Sequence, residues 1–228
     1  VEALALGGAG VTDATGNALD NRLYGNAKAN VINGGAGADT MSGRNGHDTY
    51  VVDHVNDRVV EGTDEGVDTV KSSVSYGLIP NIENLYLTGT AAIDGTGNAA
   101  GNRLVGNSAA NTLDGARGAD RMEGRLGNDT YIVDHAYDTV IELANEGTDR
   151  VRSLVSFALP ENVEILILEG SAAVNATGNA SSNQLVGNRA KNTLDGGAGA
   201  DRMSGGFGND TYVVDHVDDQ VTELANEG

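Results

Sequence analysis

The chain writes one unit almost three times, and no other feature constrains its fold as strongly. Asp48-Thr49-Tyr50-Val51-Val52-Asp53-His54 returns at Asp129–His135, with Ile132 for Val51, and again at Asp210–His216; each step is 81 residues. Asn21 and Leu23 return at the same offset as Asn102 and Leu104, then Asn183 and Leu185. Residues 34–54 differ from 196–216 at only four of 21 positions. Residues 1–81 and 82–162 are complete copies, and 163–228 is a shorter third. Repeats of this kind stack so that each unit touches mainly its neighbours. One continuous solenoid domain is therefore expected. Val1 opens within an apolar segment that reads Ile82–Leu87 and Val163–Leu168 later, and Gly228 stops before an equivalent of Thr148–Asn162. The expectation is a piece of a longer array, with neighbouring repeats of a parent chain as partners.

A second period of nine lies inside each copy. Residues 16–51 read GNALDNRLY, GNAKANVIN, GGAGADTMS and GRNGHDTYV, and the pattern returns at 97–132 and 178–213. The eighth position is always apolar, as in Leu23, Ile32, Met41 and Tyr50; Val59, Val140 and Val221 continue the step. The sixth position runs Asn21, Asn30, Asp39, Asp48, Asp57, and the same Asn, Asn, Asp, Asp, Asp order recurs in copies two and three. A helix is excluded: glycine at this density costs about 1 kcal/mol per residue, and one apolar residue in nine makes no helical stripe. A six-residue turn followed by a three-residue strand fits. Glycine supplies positive φ in the turn, and one side chain per strand points inward.

Composition narrows the function. The formal net charge is −19, which makes nucleic acid and anionic membrane surfaces poor partners. No apolar run approaches the roughly 20 residues of a membrane span. With no cysteine, disulfides, zinc–thiolate sites, iron–sulfur clusters and thiol nucleophiles are all absent. Every candidate Asp, and His54, His135 and His216, is triplicated, whereas an active site is usually one constellation. No catalytic residue is therefore nominated, and the module is read as non-enzymatic.

The turn GGAGAD at 34–39 offers backbone carbonyls and a carboxylate, with no soft ligand nearby. Oxygen-only coordination suits calcium better than zinc or copper. One turn has too few ligands for calcium, and two stacked turns have enough. Six windows (34–42, 43–51, 115–123, 124–132, 196–204 and 205–213) follow Gly-Gly-x-Gly-x-Asp-x-apolar-x, with Arg44, Ala116 and Arg125 replacing the second glycine. In tandem pairs they resemble the RTX, or haemolysin-type, calcium-binding nonapeptide repeats.

That resemblance implies an all-β, right-handed parallel β-roll in which each turn stacks on the next but one. Several calcium ions per chain would sit between stacked turns. Carried over, the metal-binding residues would be Gly34, Gly35, Gly37 and Asp39; Gly43, Gly46 and Asp48; Gly115, Gly118 and Asp120; Gly124, Gly127 and Asp129; Gly196, Gly197, Gly199 and Asp201; and Gly205, Gly206, Gly208 and Asp210. Stacking adds Asp53 and Asp57 opposite the turn at 34, and Glu65 and Asp68 opposite the turn at 43. Later copies offer Asp134, Asp138, Glu146, Asp149, Asp215 and Asp219. The GNxxxN turns have two readings: a ladder of Asn side chains bonding the turn backbone, or calcium held by amide oxygens. The length of the spacer leaves open which edge each later copy's sites occupy.

Residues 69–96 alternate at Val70, Ser72, Val74 and Tyr76, then at Leu85 and Leu87. Two or three longer strands without metal are expected there. The resemblance further implies a repeat module of a secreted or cell-surface bacterial protein, which passes type I secretion machinery unfolded and folds in calcium outside the cell. Binding free energy would then be folding free energy. An adhesive or structural spacer fits this regular array. The alternative is an accessory roll of a secreted protease, lipase or polysaccharide epimerase.

Overall fold

The computed structural model describes residues 2–223. Those residues form 25 short strands and no helix, so none of them belongs to a helix long and apolar enough to cross a membrane. Copy one holds β1 (Ala3–Ala5), β2 (Ala14–Thr15), β3 (Arg22–Tyr24), β4 (Val31–Asn33), β5 (Thr40–Ser42), β6 (Thr49–Val52), β7 (Arg58–Val60), β8 (Thr69–Ser72) and β9 (Tyr76–Gly77). Copy two holds β10 (Asn84–Leu87), β11 (Gly95–Thr96), β12 (Arg103–Val105), β13 (Thr112–Asp114), β14 (Arg121–Glu123), β15 (Thr130–Val133), β16 (Thr139–Ile141), β17 (Arg150–Ser153) and β18 (Phe157–Ala158). Copy three adds β19 (Ile165–Leu168), β20 (Ala176–Thr177), β21 (Gln184–Val186), β22 (Thr193–Asp195), β23 (Arg202–Ser204), β24 (Thr211–Val213) and β25 (Gln220–Thr222).

Successive strands alternate between two faces of a parallel β-solenoid of about 12 turns. Odd strands form one face, as the sheets β1–β7 and β9–β25; even strands form the other, as β2–β16 and β18–β24. The expected parallel β-roll is therefore present. Its core is a file of inward side chains on each face, doubled on four-residue strands, where Val52, Leu87, Val133 and Leu168 are buried as well. On the even face Ala14, Ile32, Tyr50, Val70, Leu85, Leu104, Met122 and Val140 stand in register. All are 5 % exposed or less. The eighth position of the nonapeptide thus faces inward, as the period of nine requires. Each such burial stabilises by roughly 1.5–3 kcal/mol for a large side chain. Val221, on the last strand, is an exception at 42 % exposed.

The spacer differs from expectation. Residues 69–96 hold four strands, β8 to β11, two of them only two residues long. The alternation from Val70 to Tyr76 is broken at Ser72. Its Oγ donates to the Val74 carbonyl (2.6 Å) and accepts from the Val74 N–H (3.2 Å), which turns the chain through a corner. A local hydroxyl–backbone bond has displaced the extended strand that the pattern suggested.

Nine strands per copy is an odd number. Two strands make one coil, so each copy advances the solenoid by a half-integral number of coils. Equivalent strands therefore fall on opposite faces: β5 is odd and β14 even, and β23 is odd again. Turns swap edges in the same way.

Candidate metal centre

Turns that lead from an even to an odd strand line one edge, here the first; the others line the second. The turn at 34–39 lies on the first edge, 115–120 on the second and 196–201 on the first. Their partners 43–48, 124–129 and 205–210 do the reverse. Along each edge, turns are tied by a ladder from backbone to carboxylate. Asn21 N–H donates to Asp39 Oδ1 (2.7 Å), and Asp39 N–H to Asp57 Oδ1 (2.9 Å). On the opposite edge Asn30 N–H donates to Asp48 Oδ1 (2.7 Å), Asp48 N–H to Asp68 Oδ1 (2.7 Å), and Asp68 N–H to Glu83 Oε2 (2.7 Å). Copy two repeats both ladders, through Asn102, Asp120 and Asp138, and through Asn111, Asp129, Asp149 and Glu164. Copy three repeats the first through Asn183, Asp201 and Asp219, and begins the second with Asn192 and Asp210.

At each Asp the ladder uses only Oδ1. The Oδ2 atoms of Asp39, Asp48, Asp68, Asp120, Asp129, Asp149, Asp201 and Asp210 are buried without a hydrogen-bond partner. Leaving an anionic oxygen so placed is costly, and a cation is the usual remedy. The turn glycines make room for it. A Cβ at the first position (Gly34, Gly43, Gly115, Gly124, Gly196 or Gly205) would collide with the carboxylate of its own turn. The fourth position lies at φ +119° to +146° in all six turns, at Gly37, Gly46, Gly118, Gly127, Gly199 and Gly208. The second lies at φ +57° to +78°, whether it is Gly35, Gly197 and Gly206 or Arg44, Ala116 and Arg125. The side chains of Arg44, Ala116 and Arg125 leave the turn in the same left-handed conformation.

Burial raises the pKa of Asp39, Asp48, Asp68, Asp120, Asp129, Asp149 and Asp201. Desolvation comes first, opposed by the ladder N–H and reinforced by the next carboxylate along the edge. Asp120 and Asp129 are pushed up to about 7, Asp48 and Asp149 to about 6, while Asp39, Asp68 and Asp201 also rise. Without a cation Asp120 and Asp129 are therefore about half-protonated at neutral pH.

Asp68 and Asp149 join the ladders, and the other stacking partners sort into three groups. Asp57, Asp138 and Asp219 stand opposite their expected turns, but both of their oxygens accept backbone N–H bonds, as Asp57 does from Asp39, Asp53 and His54. Those bonds hold the Asp219 carboxyl below the usual range. Asp53 and Asp215 are exposed and Asp134 is half-buried, each donating its N–H within its own turn. Glu65 meets the turn at 43 through its backbone: its carbonyl accepts from Gly46 N–H (2.7 Å), while its side chain bonds Gly62 N–H. Glu146 does the same with Gly127 and Leu143.

Sequence reasoning missed Glu61 and Glu142. One carboxylate oxygen from each of Asp48, Glu61 and Asp68 lies within 4.8 Å of the other two, and Asp129, Glu142 and Asp149 repeat the arrangement. Tyr50 OH donates to Glu61 Oε1 and accepts from Gly43 N–H (2.6 Å); Tyr131 links Glu142 to Gly124 (2.7 Å) in the same way. The signal was there to find, since Glu recurs at 61, 142 and 223, each 11 residues after the eighth-position Tyr.

The Asn turns need no ion. Asn30 Oδ1 accepts from Asn26 N–H (2.8 Å), its Nδ2 donates to the Thr12 carbonyl (2.6 Å), and Asn26 Oδ1 accepts from Lys28 N–H (3.0 Å). Asn111 and Asn192 make equivalent sets. Of the two readings, the structure shows the amide ladder.

Comparison with known proteins agrees with this geometry. No curated protein matches the chain. A family model described as RTX calcium-binding nonapeptide repeat (4 copies) matches residues 15–50, 96–131 and 177–212, covering Asn and Asp turns alike. These three blocks are RTX calcium-binding nonapeptide repeats, the family that the glycine–aspartate windows resemble.

Proposed function

We propose that the chain is a calcium-dependent folding module of a secreted or cell-surface bacterial protein, acting as a stiffened spacer rather than as a catalyst. The observation that carries this reading is the set of eight buried Asp Oδ2 atoms without partners, all on stacked glycine turns or directly opposite them. They fit a hard cation, because all eight are carboxylate oxygens. Asp39, Asp48, Asp120, Asp129, Asp201 and Asp210 would hold the ions together with carbonyls of the glycine turns. A bound calcium supplies the positive charge these oxygens lack. The chain's own residues do the rest: Oδ1 atoms fix the spacing of the coils, and glycines keep the carbonyl side of each turn open. The three copies would act as one unit, supported by parallel pairing across the copy boundaries, β8 with β10 and β17 with β19. Passage through type I secretion machinery follows from the same chemistry, since a chain that stays unfolded in low calcium can be threaded through a channel. Weak sites, with Kd about 10⁻⁴–10⁻³ M, suffice outside cells.

The test is a calcium titration of chelator-stripped protein followed by far-ultraviolet circular dichroism, with magnesium as control. A cooperative gain of β-signal with calcium alone is expected. Full β-signal in chelator, unchanged by calcium, would sink the reading.

A further inference from the structure

We propose that Asp48–Glu61–Asp68 and Asp129–Glu142–Asp149 are two tight calcium centres, distinct from the other nonapeptide turns, that fill before them. The proposal deepens the calcium reading and rests on it. The two clusters differ from the other stacked turns in charge and in origin. Opposite Asp39 stands Asp57, whose oxygens are both taken by backbone N–H groups. Opposite Asp48 stand two carboxylates with an oxygen to spare: Asp68 Oδ2 and Glu61 Oε2 are unpartnered, as is Asp48 Oδ2 itself. Asp149 Oδ2, Glu142 Oε2 and Asp129 Oδ2 match them in copy two. Five of these side chains are buried (Asp48, Asp68, Asp129 and Asp149 are each 1 % exposed and Glu142 6 %), and Glu61 is half-buried with its Oε2 inside. Glu61, Asp68, Glu142 and Asp149 lie outside the residues that the repeat family matches. Full glycine sets therefore do not mark these centres, since their turns carry Arg44 and Arg125 at the second position.

Calcium affinity rises with ligand charge and with rigidity of the site. Both are high here. Three carboxylates meet within 4.8 Å. Each Glu is held by a buried Tyr hydroxyl that is itself fixed by a turn N–H.

The same tyrosines provide the readout. The chain has no Trp, and Tyr50 and Tyr131 touch the proposed ligands. Terbium, a calcium-sized probe excited through tyrosine, should give a first emission step that saturates at two ions per chain, before weaker binding follows. Calorimetry with calcium should show the same two classes. In Glu61→Gln/Glu142→Gln the first step should vanish, or weaken by at least about tenfold, while the weaker class and the calcium-induced β-signal remain. Glu61→Gln and Glu142→Gln alone should each remove one of the two ions, which keeps the test open if the double variant does not fold. Exposed controls, Glu2→Gln/Glu161→Gln, should keep both steps. A tight step unchanged in the variants, or one class of sites only, overturns this inference and leaves the calcium reading standing. No binding of either ion to the unaltered chain overturns both.

Discussion

The Asn turn and the Asp turn occupy the same place in the coil and stack directly on each other, yet they are finished differently. In the Asn turn at 25–30, both amides spend their hydrogen bonds on backbone within reach. In the Asp turn at 43–48, one carboxylate oxygen serves the Asn turn beside it and the other is left buried without a partner. The fourth position shows the same contrast. Asn turns carry Leu19, Lys28, Ala100, Ala109, Ser181 and Ala190 there, whereas every Asp turn carries glycine at positive φ. Those residues' carbonyls or carbonyl carbons are what a Cβ on the matching glycine would strike. One kind of turn is complete on folding; in the proposed function the other is completed by an ion from outside. Calcium dependence should therefore belong to the Asp turns alone.

The largest expected effect concerns the metal-free protein as a whole. Folded-state carboxyls raised from 3.8 or 4.5 to about 6–8 bind protons that the unfolded chain releases. Their contribution is fully present below about pH 4 and is lost as pH rises through 6–8. In chelator, circular dichroism melts should give a Tm that falls steadily from pH 4 until little β-signal is left near pH 8, and calcium should abolish most of that slope. A flat Tm would show that the Asp turns are as self-sufficient as the Asn turns.

Gly46→Ala should cost about 3 kcal/mol, from strain at φ +146° and a Cβ 2.6 Å from the Lys28 carbonyl oxygen. Lys28→Gly, at the same position of the Asn turn, should cost less than about 1 kcal/mol. Urea unfolding in saturating calcium compares the two. Converting one kind of turn into the other, by Asp129→Asn, removes a buried carboxylate whose pKa is pushed up to about 7. At pH 8 without calcium it should stabilise by on the order of 3 kcal/mol, while calcium loses most of its stabilising effect at that turn. Asn111→Ala should cost about 2 kcal/mol with calcium stoichiometry unchanged, since it deprives Asn107 N–H and the Ile93 carbonyl of partners. The smallest effect is Arg44→Gly. Relief of a left-handed residue at φ +69°, offset by glycine's entropy, should leave a gain of about 0.5 kcal/mol.

Periodicity made the coil legible before any coordinates. Leu23, Ile32, Met41 and Tyr50 announce one inward side chain per strand, and all four are 1 % exposed or less. The six carboxylates on glycine turns could be named for the same reason, because spacing alone puts them at corresponding places. Glu61 escaped because it follows a strand rather than a nonapeptide, so its approach to Asp48 depends on how the eight-residue turn at 61–68 folds back. Ser72 escaped because it shares the alternating places of Val70 and Val74, and nothing in that spacing shows that its hydroxyl bonds the Val74 backbone and turns the chain. The edge occupied by each copy depended on the number of short strands in the spacer, which apolar spacing undercounted.

That strand count has a consequence for how such an array can grow. Since each copy ends half a coil out of phase, inserting or losing one copy by recombination would carry every later residue across to the opposite side of the rod. Inserting or losing two would restore it. A feature that must recur on the same side can do so only every two copies, twice 81 residues. Single-copy changes are still tolerated internally, because both sides use the same strand and turn grammar. The unit of inheritance is thus one copy, but the unit of outward symmetry is two.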